Sequence, residues 1–327
     1  MAALAPAPGT AGYVYPIGTP GVSWGADERK RWLAKTGSSP LRLYSEHVLS
    51  KLEPLRAKFD VEQYGQLDYS SVIAGGFGAR YPLFCIKSRS WSASKPLVLI
   101  TGGVHGYETS GVQGVLQFVA TQMEAYTDRV DFLVAPCVSP WGYEHIQRWT
   151  CAALDPNRGF HAATPVEECA ALQRLIAATG RSFLMHIDCH ETTNSDETEF
   201  TPAKQARDGG VYTPDPIPDG FYLVGDSENP QHAWHKAMID AVRAVTHIAP
   251  TDAKGQLLGE PVTQEGVVTA PVRTIFLCSS ATTAPYSTTT EVYPDSAKTN
   301  DDECNRAQVA CIIGGLNFVL AATETKE

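Results

Sequence analysis

Apolar and polar residues follow two rhythms along the chain, and the rhythms sort it into elements. Between Pro40 and Phe59 the apolar positions Leu41, Leu43, Val48, Leu52, Leu55 and Phe59 recur at helical spacing, which predicts an amphipathic helix. RYPLFCIKS from Arg80, PLVLI from Pro96, VDFLVAPCV from Val130 and RSFLMHIDCH from Arg181 read as strands. PLVLI is nearly all apolar, as expected of a central strand covered on both faces. GVQGVLQFVATQM from Gly111 and VEECAALQRLIAATG from Val166 read as helices, the second ended by Gly180. From Glu191 to about Pro230 the rhythm fails, and Thr, Asp, Pro and Gly surround one strand-like stretch, GFYLVG. Gln231 to Val245 reads as helix, RTIFLCSS and YSTTTEVYP as late strands, and DDECNRAQVACIIGGLNFVLAA as a closing helix with Asp301 or Asp302 as its N-cap.

Strands alternating with helices predict an α/β fold, with a mixed, largely parallel central sheet and helices on both faces. Residues 1–25, rich in Ala, Pro and Gly, form an irregular arm. Residues 26–327 form a single domain with a long loop insertion at about 191–230, long enough to wall a site or to close over it. Ligands of such sheets bind at the carboxyl ends of the strands, and the chemistry-bearing residues collect there.

After PLVLI comes TGGVHGYETSG, which sets His105 and Glu108 three residues apart among glycines. His190 ends the strand RSFLMHIDCH. Two His and one carboxylate suit a catalytic zinc ion, because they leave a fourth position open to water. Asp188 faces the same side of its strand as His190, either to orient a His ligand or to serve as an ordinary strand-end hydrogen-bonding group. In LDPNRGF, Asn157 and Arg158 supply a planar fork of donors suited to a carboxylate; taken alone, the same stretch is a Pro-Asn turn with a surface arginine.

HGYE, DPNR and a later strand-end His, in that order, resemble the zinc carboxypeptidases, the funnelin group, whose wider clan includes succinylglutamate desuccinylases and aspartoacylases. YSTTTEVYP resembles the family's Thr-rich strand ending in Glu, here Glu291, and VSPWGYE resembles its Asn-Pro-x-Gly-Tyr turn with Ser139 for Asn. The resemblance covers roughly Pro96 to Pro294 and implies a zinc carboxypeptidase-like catalytic domain. It implies one zinc ion per chain on His105, Glu108 and His190, Glu291 as general base, and Asn157 and Arg158 on the substrate carboxylate. It implies Arg148 at the oxyanion and Tyr286 at the substrate. Glu265, in TQEGV, competes with Glu291 as base but sits in a poorly patterned loop. Gly159 replaces the family's usual Asn, and Arg148 precedes Arg158 by only ten residues.

The implied function is a zinc-dependent hydrolase that cleaves an amide next to a free carboxylate. The alternative is a zinc-dependent deacylase of N-acyl amino acids. The 85-residue spacing from His105 to His190 leans toward the deacylase; the 36 residues after Glu291, enough for one helix, favour the carboxypeptidase core. The substrate is then a small peptide or an N-acyl amino acid.

Composition narrows the partners. The 327 residues carry a net charge of −10, with no basic cluster or stripe, which argues against nucleic acid and anionic membranes. No leader-like start and no apolar run of membrane-span length stand out, and the eight scattered cysteines form no C-x-x-C pair. Cys85, Cys137, Cys189 and Cys278, inside apolar strand-like runs, read as buried free thiols, which points to a reducing, cytoplasmic setting.

Overall fold

The computed structural model describes residues 6–37, 40–73, 79–89, 91–214, 217–262 and 264–324. Parts of the N-terminal arm (1–5) and of the 191–230 insertion (215–216) lie outside the described residues.

The strands, in chain order, are β1 (Asp60–Asp68), β2 (Arg80–Lys87), β3 (Leu97–Gly102), β4 (Asp131–Ala135), β5 (Phe183–Glu191), β6 (Tyr222–Asp226), β7 (Gln256–Leu257), β8 (Glu260–Pro261), β9 (Val267–Ala270) and β10 (Tyr286–Val292). The helices are α1 (Ala26–Thr36), α2 (Ser50–Leu55), α3 (Thr109–Thr121), α4 (Pro140–His145), α5 (Glu167–Ala178), α6 (Thr201–Asp208), α7 (His232–Arg243) and α8 (Asp301–Glu324). An eight-stranded sheet runs in the order β1-β2-β4-β3-β5-β10-β6-β9, and β7 and β8 form a separate small ribbon. The central strands β4, β3, β5 and β10 are mutually parallel, and antiparallel pairings join β2 and β6 to either side. This is the mixed, largely parallel sheet that the alternation predicts.

Every residue of β3 is buried. Alternate side chains enter different cores: Val98 and Ile100 join the large cluster with α3 and α8, and Leu97 and Leu99 join one on the α5 side. Being covered on both faces is what makes the run continuous rather than alternating. All eight cysteines are free and buried. Asp301–Ala322 in α8 is long and apolar enough to cross a membrane by length and composition, a property the sequence reading missed; 56% of it is buried inside the fold. Its cap is Asn300 rather than Asp301 or Asp302, since Asn300 Oδ1 accepts the Glu303 amide at 3.1 Å.

Some elements depart from the sequence expectation. RTIFLCSS is no strand: Cys278–Ser280 is a 3₁₀ turn and Phe276 has φ +57. The run is apolar because Cys278 plugs the core, and its amide is spent on Asn157 Oδ1 at 2.7 Å. The edge strand β9 precedes it. The 191–230 insertion is not simply a loop: it holds a π-helical turn (Asp196–Phe200), α6 and the sheet strand β6. The irregular arm is not loose, because Tyr15, Ile17 and Trp24 are buried.

Two short Gly-Tyr-Glu stretches, His105–Glu108 and Trp141–Glu144, cross back to back. A Cβ built on Gly106 meets the Gly142 carbonyl carbon and the Tyr143 nitrogen at 2.0 Å, closer than any backbone tolerates. Glycine at 106 therefore lets the ligand turn sit against α4. We expect Gly106→Ala to destabilise the fold by about 3 kcal/mol, the upper range for overpacking, and to lower the urea midpoint at constant m-value. An unchanged midpoint would show that this crossing can relax.

Candidate metal and catalytic centre

The turn after β3 and the ends of β5 and β10 meet at the carboxyl edge of the sheet. His190 and Glu291 are register partners on adjacent parallel strands, so their side chains leave the sheet on the same face. Glu108 ends the ligand turn at the N-terminus of α3.

The three expected ligands converge. His105 Nδ1 lies 2.7 Å from Glu108 Oε1, and His190 Nδ1 lies 2.7 Å from Glu108 Oε2. The two Nδ1 atoms are 3.2 Å apart. All three side chains are buried, and among the described residues they are the His/Cys/Asp/Glu group that could hold a metal ion. A tetrahedral ion with bonds of about 2.0–2.1 Å holds its ligand atoms roughly 3.4 Å apart, so the cluster accepts one by opening roughly half an ångström.

Both rings are gripped from behind. His190 Nε2 meets Asp188 Oδ2 at 2.6 Å, and His105 Nε2 meets Asp155 Oδ1 at 3.1 Å. An imidazole that donates its Nε2 proton to a carboxylate presents a bare Nδ1 lone pair inward, which is what a metal ligand needs. Thr101 donates to the other oxygen of Asp188 at 2.6 Å. Asp188 is thus an orienting group, one of the two readings its spacing allows. Asp155 was not singled out, although it heads DPNR; it also accepts from Arg148 Nε at 3.3 Å and from the Asn157 amide at 3.0 Å.

Electrostatics follow from burial and charge. Burial alone would raise the Glu108 carboxyl, but His190 and His105 outweigh it and hold it low. Burial would likewise raise Asp155, and Arg148 and His105 hold it well below the ordinary range. Burial would lower His190, whereas Asp188 and Glu108 hold it well above its ordinary value. Glu291 is pushed up to about 8, first by burial and then by repulsion from Glu108. Its Oε2 accepts from the Thr192 hydroxyl at 3.0 Å.

A cavity of ≈ 240 Å³ opens beside the centre, lined by Arg148, Lys204, Tyr222 and Glu291 among others. Arg148 is held in it by Asp155 and by Asp196, the latter at 3.2 Å. Arg158 donates Nη1 to its neighbour's carbonyl, Asn157 O, at 2.6 Å and is otherwise exposed. Asn157 has its oxygen committed to Cys278, which leaves its amide NH₂ as the group available to a ligand. The rival base Glu265 is an exposed surface residue paired with Arg243 at 2.8 Å.

Tyr286 is a correction. It starts β10, opposite Met185, whereas Glu291 near the strand's other end faces His190. Its ring packs edge-on against Trp234 and Phe318, so it serves the α7–α8 core and not the substrate. The tyrosines near the centre are Tyr107, stacked on His105 with centroids 6.1 Å apart, and Tyr222, whose hydroxyl meets Thr192. Glu191, also missed, caps α3 by accepting the Thr109 and Ser110 amides at 2.9 and 2.6 Å. Its own amide donates to Glu108 Oε2 at 3.1 Å.

No family model matches the chain. Carboxypeptidase 2 of Trichophyton rubrum is 31% identical over 129 residues, a stretch that covers 36% of this chain and 23% of the relative. The counterpart in Trichophyton equinum gives the same identity and coverage. Among solved structures, a metallo-carboxypeptidase from Burkholderia cenocepacia superposes with a TM-score of 0.56 at 16% identity, over 85% of this chain and 68% of that one. Bovine thrombin-activatable fibrinolysis inhibitor, in complex with tick carboxypeptidase inhibitor, gives 0.53 at 12% identity over 94% and 99%. A metallo-carboxypeptidase from Pseudomonas aeruginosa, in complex with (2-guanidinoethylmercapto)succinic acid, gives 0.54 at 13% identity over 83% and 68%. The fold is that of the metallo-carboxypeptidases, and a buried His-Glu-His centre able to hold a metal ion lies at its sheet edge.

We expect His105→Ala and His190→Ala each to abolish stoichiometric metal binding, measured by elemental analysis and by the rise in Tm on adding zinc. Asp155→Asn and Asp188→Asn, which keep shape but lose the charge behind each ring, should weaken binding by roughly 10–100-fold. Wild-type affinity in both Asn variants would show that the carboxylates serve only the fold.

Proposed function

We propose that the protein is a zinc-dependent, carboxypeptidase-like hydrolase that cleaves an amide next to a free carboxylate. The observation that carries this reading is the pair of imidazoles, each held at Nε2 by a carboxylate, with both Nδ1 atoms turned onto Glu108. Charge supports it too. Glu108, Asp155, Asp188 and Asp196 surround the centre with a single partnered arginine, Arg148, and a divalent cation offsets that excess.

One zinc ion on His105, Glu108 and His190 supplies Lewis acidity and lowers the pKa of a water molecule toward neutrality. Glu291, on the strand next to His190, takes a proton from the attacking water and returns it to the leaving nitrogen. Arg148, fixed by Asp155 and Asp196, offers positive charge to the oxygen that becomes anionic. Arg158 and the Asn157 amide hold the substrate's free carboxylate. The partial match to Carboxypeptidase 2 supports peptide bonds as the target, and the bond class is open to direct comparison with N-acyl amino acids. Eight buried free thiols support a reducing, cytoplasmic setting.

The test is turnover of C-terminal peptides and N-acyl amino acids by the zinc-loaded protein, with and without chelator. We expect chelator-sensitive cleavage, and in Glu291→Gln a fall in kcat of about 10²–10⁴ with metal content unchanged. Full activity in that variant would remove Glu291 as the base. No turnover of either panel by loaded wild type would overturn the reading.

A further inference from the structure

The cavity beside the centre has a polarity that the insertion's acidic composition hides. Among the described residues, the acidic groups of the π-helical turn are already committed. Asp196 binds Arg148 and the Tyr107 hydroxyl; Glu197 accepts the Tyr212 hydroxyl at 2.5 Å; Glu199 accepts Tyr15 and pairs with Lys35 at 3.2 Å. Lys204, in α6, lines the same cavity and has no hydrogen bond or ion pair among the described residues. Its ammonium is depressed from its ordinary value first by burial and then by the Arg158 and Arg148 guanidiniums, with Asp155 and Asp208 opposing. Arg148 and Lys204 line the same cavity. A part-buried cation crowded by like charges is destabilised until an anion joins it.

The cavity wall is mixed: Phe200, Ile217 and Leu258 stand in it beside Glu191, Thr192, Thr201 and Glu291. Its ≈ 240 Å³ falls below the roughly 300–1,000 Å³ typical of drug-sized ligand pockets, which suits one amino-acid side chain. The insertion is rigidly seated: Phe200 packs on Tyr107 with centroids 4.6 Å apart, and Tyr107 stacks on His105. α6, which carries Lys204 and follows Phe200 directly, is thus seated beside the centre.

We propose that Lys204 is a specificity-determining residue that selects substrates with a second carboxylate, an acidic residue bearing the free carboxylate next to the scissile amide. The inference rests on the proposed function for where the reacting amide sits. It concerns binding, so it can be tested without turnover. The same dicarboxylic unit occurs in a peptide ending in Glu and in an N-acyl glutamate, and the turnover arm separates these sources.

Calorimetry on the zinc-loaded wild type should show N-acetylglutamate binding roughly tenfold or more tighter than N-acetylglutamine. Lys204→Met should bring that ratio close to one while leaving N-acetylglutamine affinity within about threefold, and Lys204→Arg should keep the preference. In parallel, kcat/KM for peptides ending in Glu against Gln, and for the two N-acetyl compounds, should change with the same ratio in whichever class is cleaved. Equal binding of both compounds to wild type, no binding of either, or an equal loss for both in Lys204→Met would overturn the assignment. A charge preference in binding with no turnover of any substrate would overturn the proposed function and leave Lys204 as the selector.

Discussion

Glu108 is a carboxylate at 1% exposure, and the arrangement of the centre follows from keeping it there. An isolated buried carboxylate costs several kcal/mol even after relaxation. Its oxygens are each met by an imidazole, and one also takes the Glu191 amide. The imidazoles are then held by Asp155 and Asp188, which need donors of their own; Arg148, the Asn157 amide and Thr101 provide them. Each added carboxylate sharpens the need for positive charge at the middle. The network is satisfied either by protons on the rings or by a divalent ion between them. A divalent ion would also offset the like charges of Glu108 and Glu291, the repulsion that helps raise Glu291. A centre with this donor set is thus under electrostatic pressure to be filled.

The candidate ligands were legible in the sequence because each lies at or just beyond the end of a continuous apolar strand, and such strands are written in runs that need no tertiary knowledge. His105 and Glu108 follow β3, His190 lies in the last residues of β5, and the sheet order then brings them together. Asp155 was harder to see. Its role depends on a turn that crosses to the neighbouring ligand, and DPNR reads just as well as a capped turn, which it also is. Tyr286 failed for the opposite reason. The resemblance implied a Tyr before the Glu, but Tyr286 begins the same strand that Glu291 nearly ends, and a strand of seven residues separates its two ends by about 20 Å.

The 191–230 segment shows how composition misleads where rhythm is absent. Thr, Asp, Pro and Gly suggested a loop, yet the π-helical turn Asp196–Phe200 and α6 pack against Tyr107 and the N-terminal arm. What anchors it is long-range: the Phe200 ring on Tyr107, and Glu199 on Tyr15 and Lys35. None of these contacts has a local signature. RTIFLCSS erred in the same way, since an apolar run that plugs a core beneath a turn is indistinguishable by composition from a buried strand.

The segment's net acidity also says little about the field inside the cavity it walls. A carboxylate that already accepts from a tyrosine or arginine is balanced locally and screened from a ligand. A cation without a partner is not, and its influence grows with burial because the surrounding dielectric falls. Counted over the stretch, the charges favour a basic ligand, but Asp196, Glu197 and Glu199 already have partners, and Lys204 is a cation of the cavity wall without one among the described residues. The same reasoning applied to the centre itself leaves a deficit of positive charge there and one unpartnered cation, Lys204, in the adjoining cavity wall. A substrate with its polarised carbonyl at the first and an anionic group at the second is oriented by both at once, before any shape complementarity acts.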